Sequence, residues 1–235
     1  IGDEYFNVTT EIGFADLDVL AKGEVAEDVS RDFDRYWASG SSYPFFSIAP
    51  RADAEKGRLK LHRSRRDDAE IRASYLDELA ASPLAAAISE GNVPWQYADA
   101  RLISDDPAKG LARDKELPAI ADSLLEALGK PEKDVFIVSP YFVPSKWGMA
   151  ALRDLTANNV KVTVLTNSLR ATDVAAVHSG YARYRKDLLN AGVELYEVKP
   201  DFAPPKIRDK GLTGSSTTSL HAKTFVVDGK RVFIG

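Results

Sequence analysis

Residues 219–235 read SLHAKTFVVDGKRVFIG, and three of them could do chemistry together. His221 and Lys223 stand two apart, with Asp228 five further on. On a strand, side chains two apart share a face, so the imidazole and the ammonium are expected side by side. An imidazole near neutral pH can attack phosphorus, or pass a proton to or from a phosphoester oxygen. An ammonium beside it holds non-bridging oxygens and offsets transition-state charge. The pair suits phosphodiester chemistry, calls for no metal, and leads us to expect no cofactor. Asp228 precedes Gly229 and reads as the opening of a tight hairpin turn. Of the other two histidines, His62 lies in a basic stretch and reads as exposed. His178 lies beside the apolar face of a helical pattern and reads as a structural histidine.

These residues sit in a chain of 235 residues, 44% hydrophobic and 28% charged, as expected of a globular protein. With 31 basic against 35 acidic residues the net charge is -4, which argues against a dedicated nucleic-acid binder. There is no cysteine, so disulfides, thiolate metal sites and cysteine nucleophiles are excluded. No apolar run approaches the roughly 20 residues that span a bilayer.

The elements that must position the pair read as an α/β rhythm. Residues 12–20 alternate like a strand, and 24–39 carry Val25, Val29, Phe33, Tyr36 and Trp37 at helical spacing before Gly40. Residues 40–57 read as a long connection. Residues 58–82 are basic first (Arg58, Lys60, Arg63, Arg65, Arg66), then helical, with Asp67 or Asp68 as a cap. The basic cluster suits either anionic head groups or a solvated linker face, and the linker face is preferred. ARLISDDPAKG suggests a short strand and a loop, and 115–128 a helix ended by Gly129. Two apolar strands, DVFIVSPYFVP and VKVTVLTNS, flank a helix that Ser145 could cap. A helix over 173–192, a strand VELYEVKP, polar loops over 200–219 and a final hairpin follow. Strands alternating with helices predict a mixed, mostly parallel sheet covered on both faces.

HAKTFVVD fits H-x-K-x(4)-D and resembles the signature of the phospholipase D superfamily. IGDEYF, FADLDVLAKGEV, DDPAK, SPYFVP, LTNSLRATD and VHSGYARYRKDLLNAGVELYE resemble segments of its bacterial cardiolipin-synthase branch, while residues 40–90 carry little signal. The resemblance implies a phospholipase D-like α/β/α sandwich. It divides the chain into 1–50 completing a first half, a connecting segment with a helix over 51–90, and most of a second half over 91–235. On this reading the chain is a fragment between two H-x-K motifs.

By the same resemblance, the first motif's histidine attacks phosphorus, and His221 protonates the leaving alcohol and deprotonates the incoming one. Lys223 would hold phosphate oxygens and Asp228 would be mainly structural. Asp16 matches a carboxylate that hydrogen-bonds the first motif's histidine; the alternative is an exposed strand carboxylate. Tyr141 and Phe142 would line a lipid mouth or fill the core. The expected activity is phosphatidyl transfer between membrane phospholipids, with a phosphodiesterase or nuclease, or an inactive membrane-binding scaffold, as the alternatives. Expected partners are phospholipid substrates and a peripheral membrane surface, the cytoplasmic face of the inner membrane, and no nucleic acid. The isolated chain is expected to turn over little unless a homodimer lends a second His221.

Overall fold

A computed structural model describes Tyr5 and residues 13–48, 53, 55–57, 69–111, 120–199 and 218–235. The chain forms two compact units, one of Ile1–Val19 with Ala127–Gly235, the other of Leu20–Glu126. The basic cluster 58–66, His62, the caps Asp67 and Asp68 and the loop 200–217 lie outside the described residues.

The regular elements described in the unit of Leu20–Glu126 are helices, joined by irregular segments. Its first helix, α1 (Glu24–Trp37), has Glu24 and Glu27 in the first turn and Arg35 in the last, charges that suit the helix dipole. Tyr36 donates its hydroxyl to Asp105 O at 2.8 Å, which ties α1 to the segment ahead of the 3₁₀ turn Pro107–Leu111. The spacing predicted an inward apolar face, but Val29, Phe33 and Trp37 are 49%, 62% and 73% exposed, and no described element covers them. The strand expected near 101–106 is irregular. Asp105, Asp106 and Pro107 disfavour the ladder there, and Asp106 instead accepts the Ala108 N–H at 2.8 Å. After the four-residue α2 (Phe45–Ile48), the predicted helix appears as α3 (Ala69–Ala81), with a second helix beyond it, α4 (Pro83–Glu90). Ser82 caps α4 and Pro83 begins it, so the break is written locally. The helix α5 (Ile120–Leu128) leads on toward the sheet.

The other unit holds the strands β1 (Gly13–Ala15), β2 (Asp134–Val138), β3 (Lys161–Asn167), β4 (Glu194–Val198), β5 (Thr218–Leu220), β6 (Thr224–Val227) and β7 (Arg231–Ile234). Five of them form a sheet in the order β4-β3-β2-β6-β7. β2, β3 and β4 are parallel, while β6 and β7 form an antiparallel hairpin alongside β2. This is the mixed α/β sheet that the sequence rhythm predicts. Between the parallel strands run α6 (Ser145–Ala157) and the pair α7 (Ala175–Ala182) and α8 (Arg185–Asn190). The single helix expected over 173–192 is interrupted where Tyr184 N–H closes a tight turn on Tyr181 O. Ser145 is the first residue of α6, and Pro144 takes the cap position.

The register explains the core. Val135 pairs with Val162 and Ile137 with Val164, so one face carries an unbroken apolar layer. Met149 and Leu152 of α6, Tyr181 of α7 and Leu188 of α8 join the same cluster. Val162, Val164 and Leu188 are fully buried, and each such side chain contributes about 1.5–3 kcal/mol by leaving water. β1 and β5 pair in parallel as a separate two-stranded ribbon, with Ala15 opposite Leu220.

Candidate active site

The ribbon register builds the site. With Ala15 opposite Leu220, the residues that follow the two strands directly are Asp16 and His221. The N–H groups of His221 and Ala222 both donate to Ala15 O, at 2.8 and 3.2 Å, and fix the chain as it leaves β5. Asp16 Oδ2 then lies 2.7 Å from His221 Nδ1. The resemblance assigns Asp16 to a first-motif histidine; within this chain its hydrogen-bond partner is His221. The physical reason is the parallel pairing of two segments that the sequence separates by most of its length.

A correction concerns the placement of His221 and Lys223. They do not lie within a strand but on the short crossing from β5, in the ribbon, to β6, in the main sheet. Their proximity survives: Lys223 Nζ donates to His221 O at 2.9 Å and sits 3.4 Å from His221 Nε2. The imidazole is stacked on Phe14, ring centres 4.5 Å apart, and Tyr5 meets it edge-on at 5.2 Å. The side chains of His221 and Asp16 remain 17% and 23% exposed, so solvent and a ligand can reach the pair.

Electrostatics support a fixed orientation. Desolvation pushes the Asp16 carboxyl up. The His221 hydrogen bond, the Leu17 N–H and the nearby positive charges outweigh it and hold the group below its usual range. An ionised Asp16 accepts the proton on Nδ1, which leaves Nε2 as the free-valence nitrogen facing Lys223. Such a nitrogen can take or give a proton, or attack an electrophile, while the ammonium beside it binds an anion.

Tyr141 borders the same place. Its ring lies 6.4 Å from the imidazole, edge-on, and Lys223 Nζ sits 5.9 Å from its centre. Its hydroxyl donates to Asp173 Oδ2 at 2.7 Å, and desolvation together with that carboxylate pushes the phenol up to about 12. Phe142, by contrast, packs against the core and meets Tyr181 at 6.3 Å. Tyr141 thus borders the His–Lys pair, while Phe142 belongs to the core.

Asp228 is not brought to His221. Asp228 and Gly229 both have positive φ, 53° and 62°, the geometry of a tight hairpin turn. The Asp228 carboxylate accepts the backbone N–H groups of Glu132, Lys133 and Asp134 and pairs with Arg231. The Lys133 bond leads in holding it below its usual range, against desolvation, with the other donors and Arg231 adding to it. It locks the hairpin to the start of β2.

The residue that sequence reasoning missed is Asn167. Buried at the end of β3, it accepts the Leu220 N–H at 3.0 Å and donates to Leu220 O at 2.9 Å. Its side chain thus acts as a strand partner for β5 and holds the residue before His221. A polar residue closing an apolar strand in VKVTVLTNS was the available signal. His178 is buried as expected, with Nδ1 3.3 Å from Asn167 O and Nε2 3.2 Å from Arg185.

The fold and this site define an α/β protein whose sheet carries a carboxylate-backed His–Lys pair at a strand crossing. The family model described as "Cardiolipin synthase, PLD-like domain" matches residues 124–235. Cardiolipin synthase C of Escherichia coli is 45% identical over 237 residues, covering all of this chain and 50% of that protein. An uncharacterized protein of Helicobacter pylori is 31% identical over 239 residues, covering all of this chain and 46% of its own length. Cardiolipin synthase A of Pseudomonas aeruginosa is 30% identical over 128 residues, 53% of this chain and 25% of that one. The chain belongs to the phospholipase D superfamily and is similar to cardiolipin synthases. It spans about half the length of the curated relatives that it matches over its whole extent.

Proposed function

We propose that the protein carrying this chain is a phosphatidyltransferase that joins two phospholipids into a cardiolipin-type product. The observation that carries the reading is the Asp16–His221–Lys223 arrangement, a proton-transfer group and an anion-binding group within 3.4 Å of each other. The 45% identity to a protein named a cardiolipin synthase supports the lipid substrate.

In the proposed sequence, a second histidine from the family's other motif attacks phosphorus of a donor such as phosphatidylglycerol. The P–N bond forms, the P–O bond to glycerol breaks, and His221 Nε2 supplies the proton that the glycerol oxygen needs. The incoming alcohol of a second phospholipid then loses its proton to His221 as its oxygen displaces the phosphohistidine. Asp16 steadies the imidazolium that donates in the first step and is restored in the second, His221 being neutral in between, and Lys223 binds the non-bridging oxygens throughout. Asp228 serves by position only, through the hairpin. Among the described residues no helix is long and apolar enough to cross a membrane, and the proposed association is peripheral.

The test is to give the whole protein vesicles of phosphatidylglycerol and identify the products. The reading predicts diphosphatidylglycerol and free glycerol. Phosphatidic acid alone would indicate a hydrolase. No lipid product, with cleavage of single-stranded DNA, would replace the reading with a nuclease. The chain of 235 residues by itself should show little turnover unless two copies pair.

A further inference from the structure

We propose that the rim formed by residues 139–147 and 168–174 is a membrane-docking surface that presses the active site onto an anionic phospholipid bilayer. The inference rests on the phospholipid reading above and deepens it. β2 and β3 are parallel neighbours in register, Val138 opposite Leu165, so the segments that follow them leave the sheet at the same end. Two bonds hold the segments together: Ser139 N–H to Leu165 O at 3.1 Å, and Tyr141 to Asp173. Gly180 lets Val143 rest on α7, because a Cβ there would stand 3.2 Å from the valine methyl. The rim therefore has a defined shape, and through Tyr141 it borders His221.

Its outward side chains are apolar and basic. Val143, Trp147, Leu169 and Val174 are 42%, 65%, 55% and 39% exposed. Lys146 and Arg170 stand exposed between them, and among the described residues neither has an ion pair. Asp173, the carboxylate of the rim, is turned inward onto Tyr141 with Oδ1 buried. Aromatic and branched tips interspersed with lysine and arginine match a bilayer interface, where the rings enter the head-group layer and the cations meet lipid phosphates. A phosphodiester that reacts at His221 while its acyl chains stay in the bilayer needs such a surface beside the site. Another exposed apolar stripe, Val29, Phe33 and Trp37 on α1, lacks that charge. Glu24, Glu27, Asp28, Asp32 and Asp34 outnumber Arg31 and Arg35 on that helix, and an anionic surface repels them.

The experiment measures sedimentation of the whole protein with vesicles of phosphatidylglycerol and phosphatidylethanolamine. The variants are Trp147→Ala with Leu169→Ala, Lys146→Glu with Arg170→Glu, and Trp37→Ala. All are exposed side chains, and circular dichroism checks the fold. The first two variants should weaken vesicle binding by about tenfold or more, with the parent's binding falling as salt rises, and Trp37→Ala should bind like the parent. In a background where every other tryptophan of the whole protein is replaced by phenylalanine, Trp147 emission should shift to the blue on adding vesicles. On a soluble short-chain phosphatidylglycerol the rim variants should keep the parent's turnover. Parent-like binding by both rim variants, no parent binding, or loss of binding through Trp37→Ala alone overturns the proposal. Vesicle binding that depends on the rim, without lipid turnover, would instead count against the enzymatic reading and leave the docking surface standing.

Discussion

Asp16 and His221, 205 positions apart in the sequence, meet at 2.7 Å through their side chains because β1 and β5 lie in parallel. That contact fixes which imidazole nitrogen is left for chemistry, and the first prediction follows from it. Asp16→Asn keeps the shape but loses the charge that steadies an imidazolium. Turnover of phosphatidylglycerol by the whole protein should fall by about 10²–10⁴-fold with little change in KM. Steady-state kinetics on vesicles measures this, and a loss of less than about threefold would detach Asp16 from the mechanism.

Asn167→Ala removes the side chain that satisfies both backbone groups of the buried Leu220. Stranding a buried donor and acceptor costs about 2–4 kcal/mol in total. Urea denaturation should show that loss, and the Leu220 amide should exchange its hydrogen faster than in the parent. Unchanged protection of that amide would mean that the ribbon stands without the asparagine.

Tyr141→Phe keeps the ring beside His221 and Lys223 but leaves Asp173 without its described donor. A hydrogen bond to a charged group is worth about 1.5–3 kcal/mol, so thermal stability should drop while turnover changes less than about threefold. Tyr141→Ala also removes the wall of the site and should reduce turnover further. Equal activity of the two variants would show that the ring itself has no part.

Asp228→Asn tests the hairpin lock through pH. The folded Asp228 carboxyl lies below the value of about 3.9 that it has in an unfolded chain, with the Lys133 N–H the chief cause. Its contribution to stability is therefore complete above the unfolded value and lost as pH falls through the folded one. The variant should have a lower Tm at neutral pH, and the difference should shrink in acid. Thermal melts across the acid range measure this, and a gap that stays constant or widens would contradict the assignment.

Some of this was legible in the residues and some was not, for physical reasons. His221, Lys223 and the Asp228–Gly229 turn are local, and their spacing alone placed an imidazole beside an ammonium and a hairpin after them. The buried strands were legible because Val162, Val164 and Val135 form apolar runs. Asp16 was reached only by resemblance, and its contact with His221 was not legible, because a parallel pairing over so long a separation leaves no local trace. Asn167 reads as the polar end of an apolar strand, and only the approach of β5 makes it a clamp. The periodicity of α1 announced a helix but not what would face its apolar stripe. Near 101–106 the tertiary fold and a Pro-led turn overrode a weak strand pattern.

The central claim is that His221 moves the protons of the phosphodiester exchange. It is tested most directly by the turnover number of the His221→Gln variant of the whole protein on phosphatidylglycerol vesicles, with the far-ultraviolet spectrum confirming the fold. The account predicts a fall of at least about 10³-fold from the loss of a positioned acid–base group, with the bond from Lys223 to the backbone oxygen of residue 221 retained. Turnover within about tenfold of the parent would contradict it.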